Sequence, residues 1–280
     1  MKNFKIAPIR LAVIAVLGLY SLIIAYPLFW MVINSFKTTD EIFNSSWDLP
    51  TVWLWSNYIQ AWEGGIASYF LNSVIVTFST IAFTLALSIL AAFGLSRAEQ
   101  NGAGHYAHLV LIACIGGLLV APQVVLVPLY KLMQELHLHN TYFALILTYS
   151  AYRLPITILL VRAVFLTVPR DLDDSAHMDG CSSFQVLRHI YVPMSRSILL
   201  TATVLTAYYA WNEFLFAIIF IDSENLKTIP VGLMNFRDAL MTEWGVLVAG
   251  LVISALPIIA LFIVAQRYFM SGFAVGAVKG

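Results

Sequence analysis

The chain has 280 residues, 60% of them hydrophobic and 11% charged, and its Lys and Arg balance its Asp and Glu at 15 each. Soluble domains carry about 25% charged residues, and one core of this size has too little interior to hide so much apolar surface. The composition therefore excludes a soluble enzyme, and zero net charge leaves no overall field to recruit nucleic acid.

A helix needs about 20 apolar residues to cross the hydrocarbon of a bilayer. Six segments reach that length: residues 11–33, 69–93, 109–130, 143–166, 198–221 and 246–266. The first is too long for the apolar core of a signal peptide and has no small-residue cleavage site after it, so no cleavable leader is expected. Prolines 27, 122, 128, 155 and 257 fall within the spans, where neighbouring helices or water can re-satisfy the freed backbone groups. Cys114 and Cys181 are too few for a disulfide framework and are expected to be reduced. No internal repeat or low-complexity tract appears, so one domain is expected over residues 1–280.

Positive charge sets the orientation. The two tails and the second and fourth loops hold nine Lys or Arg, the opposite side holds four, and Arg153 and Arg162 fall inside span four. Both termini are expected on the cytoplasmic side. Two outer loops are long, residues 34–68 and 222–245. The first carries Trp47, Trp53, Trp55 and Trp62, as suits a segment at the membrane interface. The second exposes Leu233, Met234, Asn235 and Phe236, an apolar-polar mixture too rich for a mere connector.

The fourth loop, residues 167–197, carries the strongest signal. Asp171, Asp173 and Asp174 follow Pro169 and complement the dipole at the start of a short helix. Leu172, Ala176 and Met178 give it an apolar side, and Gly180 permits a turn. Ser182 and Gln185 have the spacing of a capping box for a second helix bearing Phe184, Leu187 and Ile190, which Pro193 ends or turns towards span five. The product is a helix–turn–helix knob, either a docking surface for a partner or an amphipathic pair lying on headgroups. The residues alone leave both readings open.

The run Asp173-Asp174-Ser175-Ala176, then Asp179-Gly180, Ile190 and Pro193, resembles the Glu-Ala-Ala loop of binding-protein-dependent ABC importer permeases. Asp174 stands for the usual Glu and Ser175 for the first Ala, so acidity and small size are kept. Tyr69-Phe70-Leu71-Asn72-Ser73 and Trp211-Asn212-Glu213-Phe214 are similar to sugar-permease motifs. Residues 272–280 resemble the tail of the maltose-type smaller permease. This resemblance implies an all-α integral membrane fold of type I ABC importer (MetI-like) architecture in a bacterial cytoplasmic membrane. It implies alternating-access uptake of a sugar, oligosaccharide or related polyol or glycerol phosphate. Its implied partners are a second, non-identical permease, two ATPase subunits and an extracytoplasmic solute-binding protein. Asp173, Asp174, Ser175, Ala176, Asp179, Gly180, Phe184, Ile190 and Pro193 would then form the coupling surface for the ATPase, and residues 233–236 would meet the binding protein.

Ionisable residues at membrane depth are functional candidates by default. Arg162 lies near the inner end of span four and can snorkel to the headgroups. Arg153 and Glu213 fall at roughly 15 and 12 Å depth at 1.5 Å per residue. They are expected either to form an ion pair or, with Tyr209, Asn212 and Asn72, to line a polar path for sugar hydroxyls. An ion-coupled secondary transporter would use the same two residues as a relay. His105 with His108, and His137 with His139, lack convergent carboxylates or cysteines, so no metal site is expected. No Gly-x-x-x-x-Gly-Lys-Ser/Thr loop occurs, so ATP and Mg are expected on partner subunits and no cofactor or catalytic residue on this chain.

Overall fold

A computed structural model describes the backbone of residues 6–100, 102, 104–239 and 243–277, and the side chains of 10–100, 102, 104, 105, 107–234 and 243–266. Every regular element among them is helical: α1 (Ile6–Asn34), α2 (Thr39–Asn44), α3 (Ser56–Ala61), α4 (Ala67–Gln100), α5 (Gly104–Leu118), α6 (Pro122–Glu135) and α7 (Tyr142–Phe165). These are followed by α8 (Arg170–Met178), α9 (Ser183–Val186), α10 (Val192–Met194), α11 (Arg196–Asn212), α12 (Leu215–Phe220), α13 (Ile229–Ala239) and α14 (Trp244–Ala277). Four stretches are unbroken and apolar enough to cross a membrane, and two bent pairs bring the crossings to six when each counts as one.

Two of the expected spans are not the straight helices the hydropathy pattern predicts. The third, expected over 109–130, stops at Leu118, and α6 leaves it at 102°. Ala121 is extended (φ −67°, ψ 136°) because it precedes Pro122, which opens α6 at a position where a missing N–H costs nothing. The fifth, expected over 198–221, breaks at Glu213 and Phe214 between α11 and α12. Apolar composition marks depth, not continuity. The residues that stop these helices are a Pro in one case and a capping carboxylate in the other.

The chain groups into two compact units, Met1–Ala67 with Leu233–Ala255, and Ser68–Gly232 with Leu256–Gly280. In the first, α1 ends at a knot of short elements. Asn57 is buried and donates from Nδ2 to the carbonyls of Ser35 (2.9 Å) and Lys37 (3.0 Å). Gly245 presses against the same carbonyl and amide, where a Cβ would overlap both. Thr38 and Glu41 close a capping box on α2. The tryptophans gather on aromatic rings, Trp47 on Tyr26 (5.4 Å) and Trp53 and Trp55 on Phe36 (5.0 and 4.7 Å).

The second unit has two apolar cores. One joins Val76 of α4, Leu145 and Tyr149 of α7, and Phe216 and Phe220 of α12. The other joins Ala92 and Phe93 of α4, Val161 and Phe165 of α7, and Val186, Leu187 and Tyr191 at the end of the fourth loop. That loop is thus anchored by its own apolar residues to two spans.

Candidate functional site

The fourth loop folds as two short helices, and their local signals are the ones expected of such a turn. Helix α8 ends in a Schellman motif, with Gly180 N–H on His177 O (3.0 Å) and Cys181 N–H on Ala176 O (2.9 Å). Gly180 has φ +81°, a left-handed conformation that a side chain would strain. Ser182 and Gln185 form the capping box of α9 with both reciprocal bonds. The helix runs through a π turn over Leu187–Tyr191, ends at Met194 one residue after Pro193, and bends there by 81° into α11, the turn towards span five expected at that proline.

The nine expected coupling residues split into two sets. Asp174, Ser175, Asp179, Gly180 and Phe184 are exposed, together with Leu172 and Met178. Ala176 and Ile190 pack on the core of Phe93, Phe165 and Tyr191, Pro193 is half-buried, and Asp173 turns to Arg97. Arg97, in the last turn of α4, donates to both Asp173 oxygens (Nε 3.1 Å, Nη2 2.5 Å) and to Ser183 Oγ (2.8 Å). Its guanidinium also lies 4.8 Å above the Phe93 ring. One side chain therefore ties α8 and α9 to the end of span two. Sequence reasoning uses Arg97 only as an inside-positive charge, although it is the first charged residue after Glu63 and so closes a charge-free run.

Two further arginines fix the same corner. Arg170 donates to Gln100 O (2.7 Å), and Arg162 is ion-paired with Glu99. Arg162 thus has a structural role, paired with a carboxylate next to the last residue of α4.

At the end of span two opposite the fourth loop, the motif that opens the span has a structural use. Asn72 is buried, donates to the carbonyls of Asn225 (2.9 Å) and Lys227 (2.8 Å), and accepts from Tyr142 Oη (2.6 Å). Ser73 Oγ accepts from Ile229 N–H (2.9 Å), and Tyr69 donates to Glu224. Gly232 lies so close to the Tyr69 ring that a Cβ there would overlap it. All the polar atoms of Asn72 are occupied by protein, so it clamps the segment around residues 225–227 to α4 and α7. Across the same segment Asn140 accepts from Asp222 and Ser223 N–H (3.0 Å each) and donates to Ser223 Oγ (2.7 Å). Leu233 packs towards Gly250, and Met234 is exposed. Asn235 and Phe236 lie outside the residues whose side chains are described.

The mid-span polar residues converge without forming the expected ion pair. Glu213 accepts from Phe216 N–H (2.9 Å) and Ala217 N–H (3.2 Å), so its carboxylate caps α12 and makes the break in span five. Asn212 donates to Tyr208 O (2.8 Å) within its own helix. Trp211 is buried edge-to-face against Phe70 (5.6 Å), which links the two motifs. Arg153 lies 5.5 Å above the Tyr209 ring, and no acidic group is within ion-pair distance of it among the described residues. Glu213 is compensated by peptide N–H groups and not by Arg153, which corrects the expected ion pair. A lone charge at this depth costs about 2.5–3.5 kcal/mol on lenient insertion scales, so Arg153 is the unexplained member.

Comparison with known proteins places this geometry. Residues 61–274 match the family model described as binding-protein-dependent transport system inner membrane component. The chain is 57% identical over 264 residues to the probable ABC transporter permease protein YurM of Bacillus subtilis, covering 94% of this chain and 87% of that one. It is 32% identical over 276 residues to the arabinooligosaccharides transport system permease protein AraQ of the same organism, covering 97% and 96%. Its fold matches a chain in a crystal structure of a bacterial ABC transporter involved in the import of alginate, with a TM-score of 0.80, 22% identity, and 96% and 98% coverage. The chain belongs to the binding-protein-dependent transport system inner membrane component family, and it is a multi-pass membrane protein.

Proposed function

We propose that this member of the family is one permease subunit of an ATP-driven saccharide importer, with both termini in the cytoplasm. ATP and Mg would be bound by two separate ATPase subunits, and a second, non-identical permease would complete the pore. A solute-binding protein would deliver cargo to the outer surface that includes residues 233–236. The name of the arabinooligosaccharide relative and the sugar-permease motifs support a saccharide as cargo.

One observation carries the reading. An exposed apolar knob of Leu172, Met178 and Phe184 is held by Arg97 to the end of a membrane span and by Val186, Leu187 and Tyr191 to two. An amphipathic pair resting on headgroups needs no such bracing, because the bilayer is fluid. A loop that receives force from a moving partner does. ATPase closure would push the knob, and the bracing would carry the displacement into α4 and α7.

Phe184→Asp tests this by placing a charge on the knob without touching its bracing. The variant is expected to insert at wild-type yield and to lose co-purification with the ATPase subunits and uptake. Retained co-purification and uptake would remove the docking role. Uptake that persists after ATP depletion would instead favour ion coupling.

A further inference from the structure

We propose that Arg153 recognises an oxyanion, a carboxylate or sulfonate, on the transported saccharide, so that the cargo is an acidic sugar. This rests on the permease reading above. Arg153 stands eleven residues after the start of α7 and twelve before its end. That is about 17 Å from either end at 1.5 Å per residue, beyond the length over which an arginine can snorkel.

Among the described residues its nitrogens find no protein acceptor. Nε is buried without a hydrogen-bond partner, and the contact its guanidinium makes is with the face of Tyr209. Helices α5, α7, α11 and α12 carry no carboxylate, and Glu213, in the break between α11 and α12, has its oxygens taken by the N–H groups of Phe216 and Ala217. An arginine kept for packing would be given a counter-charge, as Arg97 and Arg162 are. Arg153 keeps a planar fork of donors that suits a two-oxygen anion.

The surroundings suit the rest of a sugar. Tyr152, one residue before Arg153, has a buried hydroxyl without a hydrogen-bond partner, whereas Tyr149, one turn before, is fully buried with its hydroxyl beside the Glu213 carboxylate. Tyr149 and Tyr209 meet edge to face at 5.9 Å, which fixes the Tyr209 ring under the guanidinium. Aromatic faces, the Tyr152 hydroxyl and one unpaired guanidinium form a set that binds a polar ring bearing a negative charge.

The test uses the complete importer in vesicles, with its partner permease, ATPases and binding protein. Oligosaccharides released from plant cell wall are separated by anion exchange into neutral and acidic pools, and accumulated species are identified by mass spectrometry. Wild type is expected to accumulate members of the acidic pool. Arg153→Gln is expected to reduce this at least tenfold, and Arg153→Lys, which keeps charge but loses the fork, to fall between the two. Accumulation of neutral species alone, or of acidic species equally in Arg153→Gln, overturns the anion site and leaves the saccharide reading standing. Accumulation from neither pool while ATP is hydrolysed removes the saccharide reading and this proposal with it. If Arg153→Gln fails to assemble while Arg153→Lys assembles and transports as wild type, the counter-charge is a carboxylate of the partner permease and the proposal falls.

Discussion

Arg97 grips Asp173 through two parallel hydrogen bonds, Nε to Oδ2 at 3.1 Å and Nη2 to Oδ1 at 2.5 Å, across 76 residues of chain. Both side chains are largely buried, at 20% and 13% exposure, so water screens the pair only in part. A charge-assisted bond of this kind contributes about 1.5–3 kcal/mol. Arg97→Met should therefore loosen α8 from α4 without preventing insertion. Deuterium exchange of the α8 amides should rise by roughly one to two orders of magnitude, as about 1.4 kcal/mol is a factor of ten. Unchanged exchange would mean that the apolar packing of the loop suffices alone.

Gly180 separates conformational strain from contact. A Cβ there meets nothing within 4 Å, so any effect of substitution comes from its φ of +81°. A left-handed β-branched residue costs about 1–2 kcal/mol, and Asn costs less because it enters that region readily. Gly180→Val should reduce uptake and ATPase co-purification more than Gly180→Asn, with equal membrane insertion. Equal losses in the two variants would point to a direct clash with a partner.

These two positions also show how far the sequence could be read. Hydropathy located the membrane-crossing material, and the spacing of Ser182, Gln185 and Gly180 located the loop, because caps and left-handed turns depend on residues close in the chain. Arg97 with Asp173, and Asn72 with residues 225 and 227, were not legible, because each joins groups 76 or more residues apart. The breaks at 119–121 and 213–214 lie between. Pro122 is a local signal, whereas the capping use of Glu213 depends on a carboxylate preferring peptide N–H groups to an arginine one helix away.

Asn72 should behave as a clamp and not as a sugar contact. Asn72→Ala would strand two carbonyls and the Tyr142 hydroxyl, at about 1–3 kcal/mol for buried polar groups left unpaired. The expected outcome is faster proteolysis of the 222–230 segment with unchanged selectivity among cargoes. Altered selectivity with an intact segment would return Asn72 to the path.

Glu41 gives the α2 segment a pH dependence. The Thr51 hydroxyl bonded to its carboxylate, helped by backbone N–H groups of Thr51 and Thr38, holds it below the usual carboxylate range against a smaller opposing effect of burial. A depressed carboxyl contributes above its unfolded value, and the contribution is lost as pH falls through the folded one. Amide exchange at Thr51, corrected for intrinsic rates, should therefore be slow at neutral pH and accelerate in acid below the usual carboxylate range. Glu41→Gln should flatten this profile, and an unflattened profile would assign it to another group.

The arrangement at Arg153 and Glu213 predicts near-independence. Were they an ion pair, removing one partner would cost about 3–5 kcal/mol by stranding the other, and the double change would recover much of that loss. Here Glu213 is held by Phe216 and Ala217 N–H, and Arg153 by the face of Tyr209. Glu213→Ala should lose a cap, about 0.5–2 kcal/mol. Arg153→Met should be neutral or stabilising in the resting permease, since it removes an unpaired charge from membrane depth. Their effects should add to within about 1 kcal/mol, the residue of coupling coming through Tyr209, which both touch electrostatically. Thermal midpoints of the purified complex for the two single variants and the double decide it. A double variant more stable than Glu213→Ala by several kcal/mol, beyond what Arg153→Met gives alone, would restore the ion pair. Additivity would leave Arg153 as a cation whose counter-charge arrives from outside the chain.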